Sequence, residues 1–156
     1  RVQVSPSAYY SLIMLTASLV CLALNIYHEA KNQSFIGQVA VAQVVMNRVK
    51  DNRYPNTVCE VVKQGPTRPS WEDPKKEYPI KHRCQFSWYC DGLADRPRNQ
   101  KAYAVAYENA KAVLEGYYFG ILDGATHYHA DYVSPRWSKL HTRIVKIDTH
   151  IFYRWD

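Results

Sequence analysis

Long apolar runs, concentrated positive charge and paired-cysteine metal motifs are all missing from this 156-residue chain. The longest mostly apolar run, Ser11 to Leu24, has 14 residues. As a helix it spans ~21 Å, short of the ~30 Å hydrocarbon core of a bilayer. We read it as a buried helix and expect no stable membrane insertion. Basic residues come singly or in short pairs such as Lys75-Lys76, with no Lys/Arg-rich stretch. Nucleic-acid binders concentrate their charge into a patch, so nucleic acid is not an expected partner. No CxxC spacing occurs, which argues against a cysteine-built zinc site. A glycine-rich phosphate cradle, internal repeats and low-complexity segments are absent as well.

The length suits one domain and is short for two. Apolar residues make up 47%, enough for a real core, and charged residues 22%. The net charge of +6 fits plain solubility or attraction to a polyanion such as an anionic cell wall. Aromatic residues are conspicuous, with 13 Tyr and 4 Trp. They can pack a core, or line a groove whose flat faces suit the C–H-rich rings of sugars. Of the four cysteines, Cys21 lies in the apolar helix and is expected as a buried free thiol. Cys59, Cys84 and Cys90 flank one loop region, and one disulfide among them is expected in an oxidising compartment, its pairing left open. The sequence begins at Arg1 rather than Met, so a removed leader or a trimmed start is expected. Both features favour a place outside the cytoplasm: periplasm, wall or medium, or a phage product delivered to the wall.

Periodicity predicts a first helix from Tyr9 to Ala30, with a break near Ser18, and another from Phe35 to Lys50 capped by Ser34. The Phe35–Lys50 helix reads as buried on most sides, with Gln38, Gln43, Asn47 and Arg48 as polar exceptions. Prolines punctuate residues 51–98, which read as loop with a short helix over Thr57–Gln64. A loop that long is usually functional. Asn99 caps a third helix over Gln100–Glu115, stopped by Gly116. Short strands are expected at Ala125–Ala130, Arg143–Ile147 and His150–Arg154.

Three groups of residues could carry chemistry. Glu29 ends an otherwise apolar helix, and a partly buried carboxyl there would stay protonated near neutral pH, as a general acid must. The ordinary reading is a solvated glutamate at a helix end. His127 and His129 flank Tyr128 in a strand, so alternation puts both imidazoles on one face. With His28 and Asp131 they could form a zinc site of amidase type, or they could serve as structural or sugar-contacting groups. Cys84, in Cys84-Gln85-Phe86-Ser87-Trp88, could be a nucleophile paired with a histidine, but a disulfide with Cys90 competes.

Read in order, several segments resemble the SleB-type cell wall hydrolases, which include spore-cortex-lytic enzymes and related phage lysins. They are Asn25-Ile26-Tyr27-His28-Glu29-Ala30, Gly37-Gln38-Val39-Ala40-Val41-Ala42 and Val44-Val45-Met46-Asn47-Arg48-Val49, then Tyr54-Pro55-Asn56-Thr57-Val58-Cys59 and Val61-Val62-Lys63-Gln64. Cys84 to Trp88 with Cys90-Asp91-Gly92, Ala125-Thr126-His127-Tyr128-His129-Ala130, Val133-Ser134-Pro135-Arg136-Trp137 and His150-Ile151-Phe152-Tyr153-Arg154 complete the series. Together they run from about Leu19 to Arg154. Two departures stand out: Ala30-Lys31-Asn32-Gln33 where the family often has Ala-Arg-Gly-Glu, and a longer insert from Pro66 to His82.

The resemblance implies one catalytic domain over 1–156 with an α+β, lysozyme-like fold, mainly helical with a small β region near the C-terminus. It implies cleavage of the MurNAc–GlcNAc bond of peptidoglycan, with Glu29 as acid. A lytic transglycosylase needs no second carboxylate, because the muramate C6 hydroxyl closes a 1,6-anhydro ring. A two-carboxylate hydrolase does need one, for which Asp91 and Asp131 are the candidates. The alternatives are therefore a hydrolytic muramidase, or a zinc-dependent N-acetylmuramoyl-L-alanine amidase using His28, His127 and His129. Expected substrate contacts are Gln38, Gln85, Phe86, Ser87, Trp88, His127, Tyr128, His129, Trp137 and Tyr153. The expected partner is the glycan strand, bound by a monomer without cofactor or metal.

Overall fold

A computed structural model describes residues 5–156, apart from the side chains of Tyr9, Tyr10 and Ile13. Arg1, on which the expectation of a removed leader rests, lies outside the described residues. Helix α1 runs Pro6–Ala30 and starts at Ser5, whose hydroxyl accepts from the Ala8 amide. Helix α2 (Phe35–Lys50) starts at Ser34 in the same way, with Oγ accepting from the Gly37 amide. A short helix α3 (Val58–Val62) follows a Thr57 cap. Strands β1 (Thr67–Pro69) and β2 (Glu77–Pro79) pair as a small antiparallel hairpin. Helix α4 (Gln100–Leu114) is capped by Asn99 and ends at Gly116, which takes φ +109°, a conformation costly for any residue with a Cβ. Strands β3 (Ala125–Ala130), β4 (Thr142–Ile147) and β5 (His150–Arg154) form an antiparallel sheet in the order β3-β5-β4.

The main core lies where α1, α2, α3 and α4 meet, around Leu22, Ile26, Val39, Val45, Val61 and Ala106. Another cluster joins the sheet to α2 through Val41, Val44, Leu122 and Phe152. The α+β character expected from the sequence, mainly helical with a small sheet near the C-terminus, is what the chain adopts.

Four expectations need correction. Helix α1 has no break near Ser18. Nor is its apolar run buried throughout: Leu22 and Ala23 are fully enclosed, but Leu12, Met14 and Leu15 are more than half exposed. The reason is length, since a 25-residue helix outruns its 15- and 16-residue neighbours by ~14–15 Å at 1.5 Å per residue. Cys21 is not a free thiol; it is bonded to Cys59, tying α1 to α3. Cys84 is likewise no nucleophile, because it is bonded to Cys90. The β1–β2 hairpin inside the proline-rich loop was not legible as strand. Among the described residues no helix is long and apolar enough to cross a membrane.

A clasp sets the sheet against the helices. Ser34 donates from its amide (2.9 Å) and its hydroxyl (2.7 Å) to Asp148 Oδ2, at the β4–β5 turn. Gln33 Oε1 accepts from the Thr149 amide and hydroxyl. The turn comes so close to α2 that a Cβ at Gly37 would collide with the Asp148 carboxylate and sit 2.9 Å from Gln33 Cβ.

Two stability measurements follow. Gly37→Ala should cost ~1–3 kcal/mol, lowering Tm by several degrees in calorimetry. Replacing both Cys21 and Cys59 by Ser reopens a 38-residue separation and should remove about 2–4 kcal/mol in urea unfolding.

Candidate functional site

Glu29 sits in the last turn of α1. The turns before it bury Leu22, Ala23, Asn25, Ile26 and Tyr27, so the carboxyl emerges at the rim of the core, half-buried. Tyr128, on β3, donates from its hydroxyl to Glu29 Oε1 at 2.7 Å. Oε2 takes no hydrogen bond from the described residues. One oxygen is thus held and the other is left without a protein partner. Burial pushes the Glu29 carboxyl above the usual carboxylate range, because a charge there loses its water; the Tyr128 hydrogen bond and the Arg48 charge oppose this. Burial likewise drives the Tyr128 phenol well above its ordinary value, and the Glu29 charge adds to the rise. Tyr128 therefore remains a hydrogen donor at working pH.

The polar residues of α2 explain why β3 lies where Tyr128 can meet Glu29. Gln43 exchanges two hydrogen bonds with the Phe119 backbone, at 2.9 and 2.7 Å. Asn47 Nδ2 donates to the carbonyls of Leu122 (2.9 Å) and Ala125 (2.8 Å). Arg48, 5% exposed, donates from Nε to the Thr126 carbonyl at 2.8 Å. Its guanidinium lies between the rings of Tyr54 and Phe86, at 5.1 and 5.4 Å. Each of these bonds satisfies a backbone group in the segment leading into β3, where an unmade buried bond costs ~1–3 kcal/mol. In the sequence these residues stand only as exceptions on an apolar helix. The signal was there, since polar side chains at i, i+4 and i+5 share one side of a helix.

The other wall of the site comes from the 3₁₀ turn Ser87–Cys90. Trp88 is buried, donates Nε1–H to Asn25 Oδ1 at 2.9 Å and stacks on His28 with ring centroids 4.6 Å apart. His28 donates from Nε2 to the Asp95 carbonyl at 2.8 Å. The residue preceding the acid is therefore fixed on both sides.

The expected substrate contacts do not form a single group. Tyr128 reaches Glu29. Gln85 and Ser87 are exposed, while Phe86 is enclosed at 2% exposure and Trp88 faces inward. Gln38 is buried and accepts from Asn109 Nδ2 at 2.7 Å, so it joins α2 to α4. His127, His129, Trp137 and Tyr153 gather on the face of β3 opposite Tyr128, as alternation requires. There His129 accepts at Nε2 from the Tyr153 hydroxyl at 2.8 Å. Burial, helped by the Arg48 charge, pushes His127 down to about 4, leaving it neutral. His28 is not with them, and among the described residues no three His, Cys, Asp or Glu side chains are placed to hold a metal ion. The zinc alternative thus lacks a convergent ligand set. Asp131 pairs with Lys146 at 3.0 Å and Asp91 accepts from the Leu93 amide at 2.8 Å.

Two solved structures share this fold. The catalytic domain of the germination-specific lytic transglycosylase SleB from Bacillus anthracis matches with a TM-score of 0.63 and 24% identity, over 88% of this chain and 93% of that one. The SleB catalytic domain from Bacillus cereus matches at 0.61 and 24%, over 89% and 91%. The spore cortex-lytic enzyme of Bacillus cereus is 44% identical over 41 residues, 26% of this chain and only 16% of that protein's length. The family model described as Cell Wall Hydrolase matches residues 32–153, beginning three positions after Glu29. With most of its length inside that match, the chain belongs to the cell wall hydrolase family.

Proposed function

We propose that this chain cuts the MurNAc–GlcNAc bond of peptidoglycan as a lytic transglycosylase, with Glu29 as acid and then base. The observation that carries this is the Glu29 carboxyl itself, its hold on the proton strengthened by burial, anchored at Oε1 by Tyr128 and free of a hydrogen-bond partner at Oε2 among the described residues. The Oε2 proton passes to the bridging oxygen as the bond from the muramate C1 breaks. The sugar becomes oxocarbenium-like. Glu29, now a carboxylate, takes the proton of the muramate C6 hydroxyl, whose oxygen attacks C1. The products are a 1,6-anhydro end and a free GlcNAc hydroxyl, and Glu29 is protonated again without water being consumed.

The surroundings of Glu29 favour this route over hydrolysis. A two-carboxylate glycosidase needs its second acid ~5–9 Å away. The charge that acts on Glu29 is Arg48, a cation, and Asp91 and Asp131 have partners of their own. The SleB domains whose fold this chain shares include that of a germination-specific lytic transglycosylase, which agrees with the proposal. The substrate lies outside the cytoplasm, so the protein acts there.

Glu29→Gln keeps the shape and removes the acid. Solubilisation of purified peptidoglycan should fall by roughly 10²–10⁴-fold; a mutant clearing at the wild-type rate would sink the assignment. Mass spectrometry of the fragments should find anhydro-muramate ends, whereas reducing muramate ends would mean hydrolysis. Activity should resist EDTA, unlike that of a zinc amidase. Tyr128→Phe removes a bond that favours ionised Glu29, so the proton is lost at higher pH. The alkaline limb of the kcat/KM profile should therefore move upward in pH; a downward move would contradict the proposed pairing.

A further inference from the structure

We propose that the β1–β2 hairpin carries an auxiliary glycan-binding site at its tip, centred on Trp71, which holds peptidoglycan strands away from the bond being cut. The substrate class rests on the function proposed above. Trp71 is 91% exposed and Tyr78 53%. With Arg68, Pro69, Ser70 and Glu72 they border a cavity of about 300 Å³. That is the lower end of small-ligand pockets, a size for one or two sugar rings. An indole offers a flat face to the C–H side of a pyranose. The Arg68 guanidinium and Glu72 carboxylate beside it can bond the hydroxyls and amide at the ring's edge.

This tip is built rather than loose. The Ser70 amide donates to the Lys76 carbonyl at 2.8 Å, and the Lys76 amide to the Asp73 carbonyl at 2.9 Å. Ser70 Oγ accepts from the Glu72 amide, and Asp73 Oδ1 from the Lys75 amide. Thr67 Oγ1 donates to Glu77 Oε2 at 2.6 Å across the strands. Pro69, Pro74 and Pro79 restrict the backbone further. An aromatic group held out on such a support loses little freedom when a ligand arrives.

The mixed charge of the hairpin and its position suit the same occupant. Among the described residues, Arg68, Lys75 and Lys76 take part in no ion pair. Nor do Glu72, Asp73 and Glu77, so the hairpin offers cations for the carboxylates of muramate and its stem peptides and anions for their amino and hydroxyl groups. At the base, the Ile80 amide donates to the Pro66 carbonyl and the His82 amide to the Cys90 carbonyl. Cys90 closes the turn whose Trp88 stacks on His28, next to Glu29. The hairpin therefore rises from the segment that walls the acid. Polar groups around the indole favour a sugar over a lipid surface, which would want an apolar rim.

Binding isotherms on purified sacculi test this in a Glu29→Gln background, where the substrate stays intact. Adding Trp71→Ala should weaken binding roughly tenfold, about 1.4 kcal/mol, with Trp71→Phe in between and Arg68→Ala severalfold weaker than the parent. Melting temperatures should not change, and phosphatidylglycerol vesicles should bind all variants alike. Equal sacculus binding by parent and Trp71→Ala, no measurable binding by the parent, or a loss seen on vesicles instead would each overturn the proposal. Failure of the reaction itself reads out separately, as wild-type protein that binds sacculi through Trp71 yet releases no glycan fragments.

Discussion

One hydrogen bond joins the two halves of this molecule at the point where chemistry is expected: the Tyr128 hydroxyl on the Glu29 carboxyl, at 2.7 Å. It crosses from the sheet to the end of the first helix. In the low-dielectric rim of a core such a bond is strong, and its absence would leave a polar atom stranded. The same burial that strengthens it raises the acid's affinity for its proton. Position and protonation state thus come from one arrangement, and neither can be changed without disturbing the other.

Much of the remaining architecture serves that contact. The α2 side chains Gln43, Asn47 and Arg48 take up the backbone of residues 119–126, so the strand enters at a set height. The disulfide from Cys21 to Cys59 braces α1 against α3. Trp88 and the Asp95 carbonyl hold His28. Rigid support of this kind is what a catalytic carboxyl requires, since misplacement of about 1 Å can cost 10²-fold in rate.

The elements with strong periodicity were legible in the sequence. Helix α2, the Asn99 cap and strands β3 and β5 lie where pattern and capping chemistry put them. Alternation also separated Tyr128 from His127 and His129 correctly. What stayed hidden depends on contacts distant along the chain. Cys21 resembled one more small apolar residue, because nothing local tells which cysteine faces a helix 38 positions away. The β1–β2 hairpin has strands of three residues each, too short and proline-rich for any period to emerge. Gln38 seemed free to meet substrate, but its buried partner Asn109 lies 71 positions on. The pairing of Tyr128 with Glu29 spans 99 positions, and only the family resemblance had marked both residues.

The clasp between Ser34, Gln33 and the β4–β5 turn has a further meaning. Neighbouring residues of β3 point in opposite directions, a phenol inward and imidazoles outward. Sliding that strand by one place would present an imidazole to Glu29 and turn Tyr128 out to water. β3 and β4 both take their alignment from β5, and β5 begins just after the turn that Asp148 and Thr149 moor to α2. A surface turn remote from Glu29 in sequence is therefore a gauge for the whole sheet, deciding which side chain the Glu29 carboxyl meets.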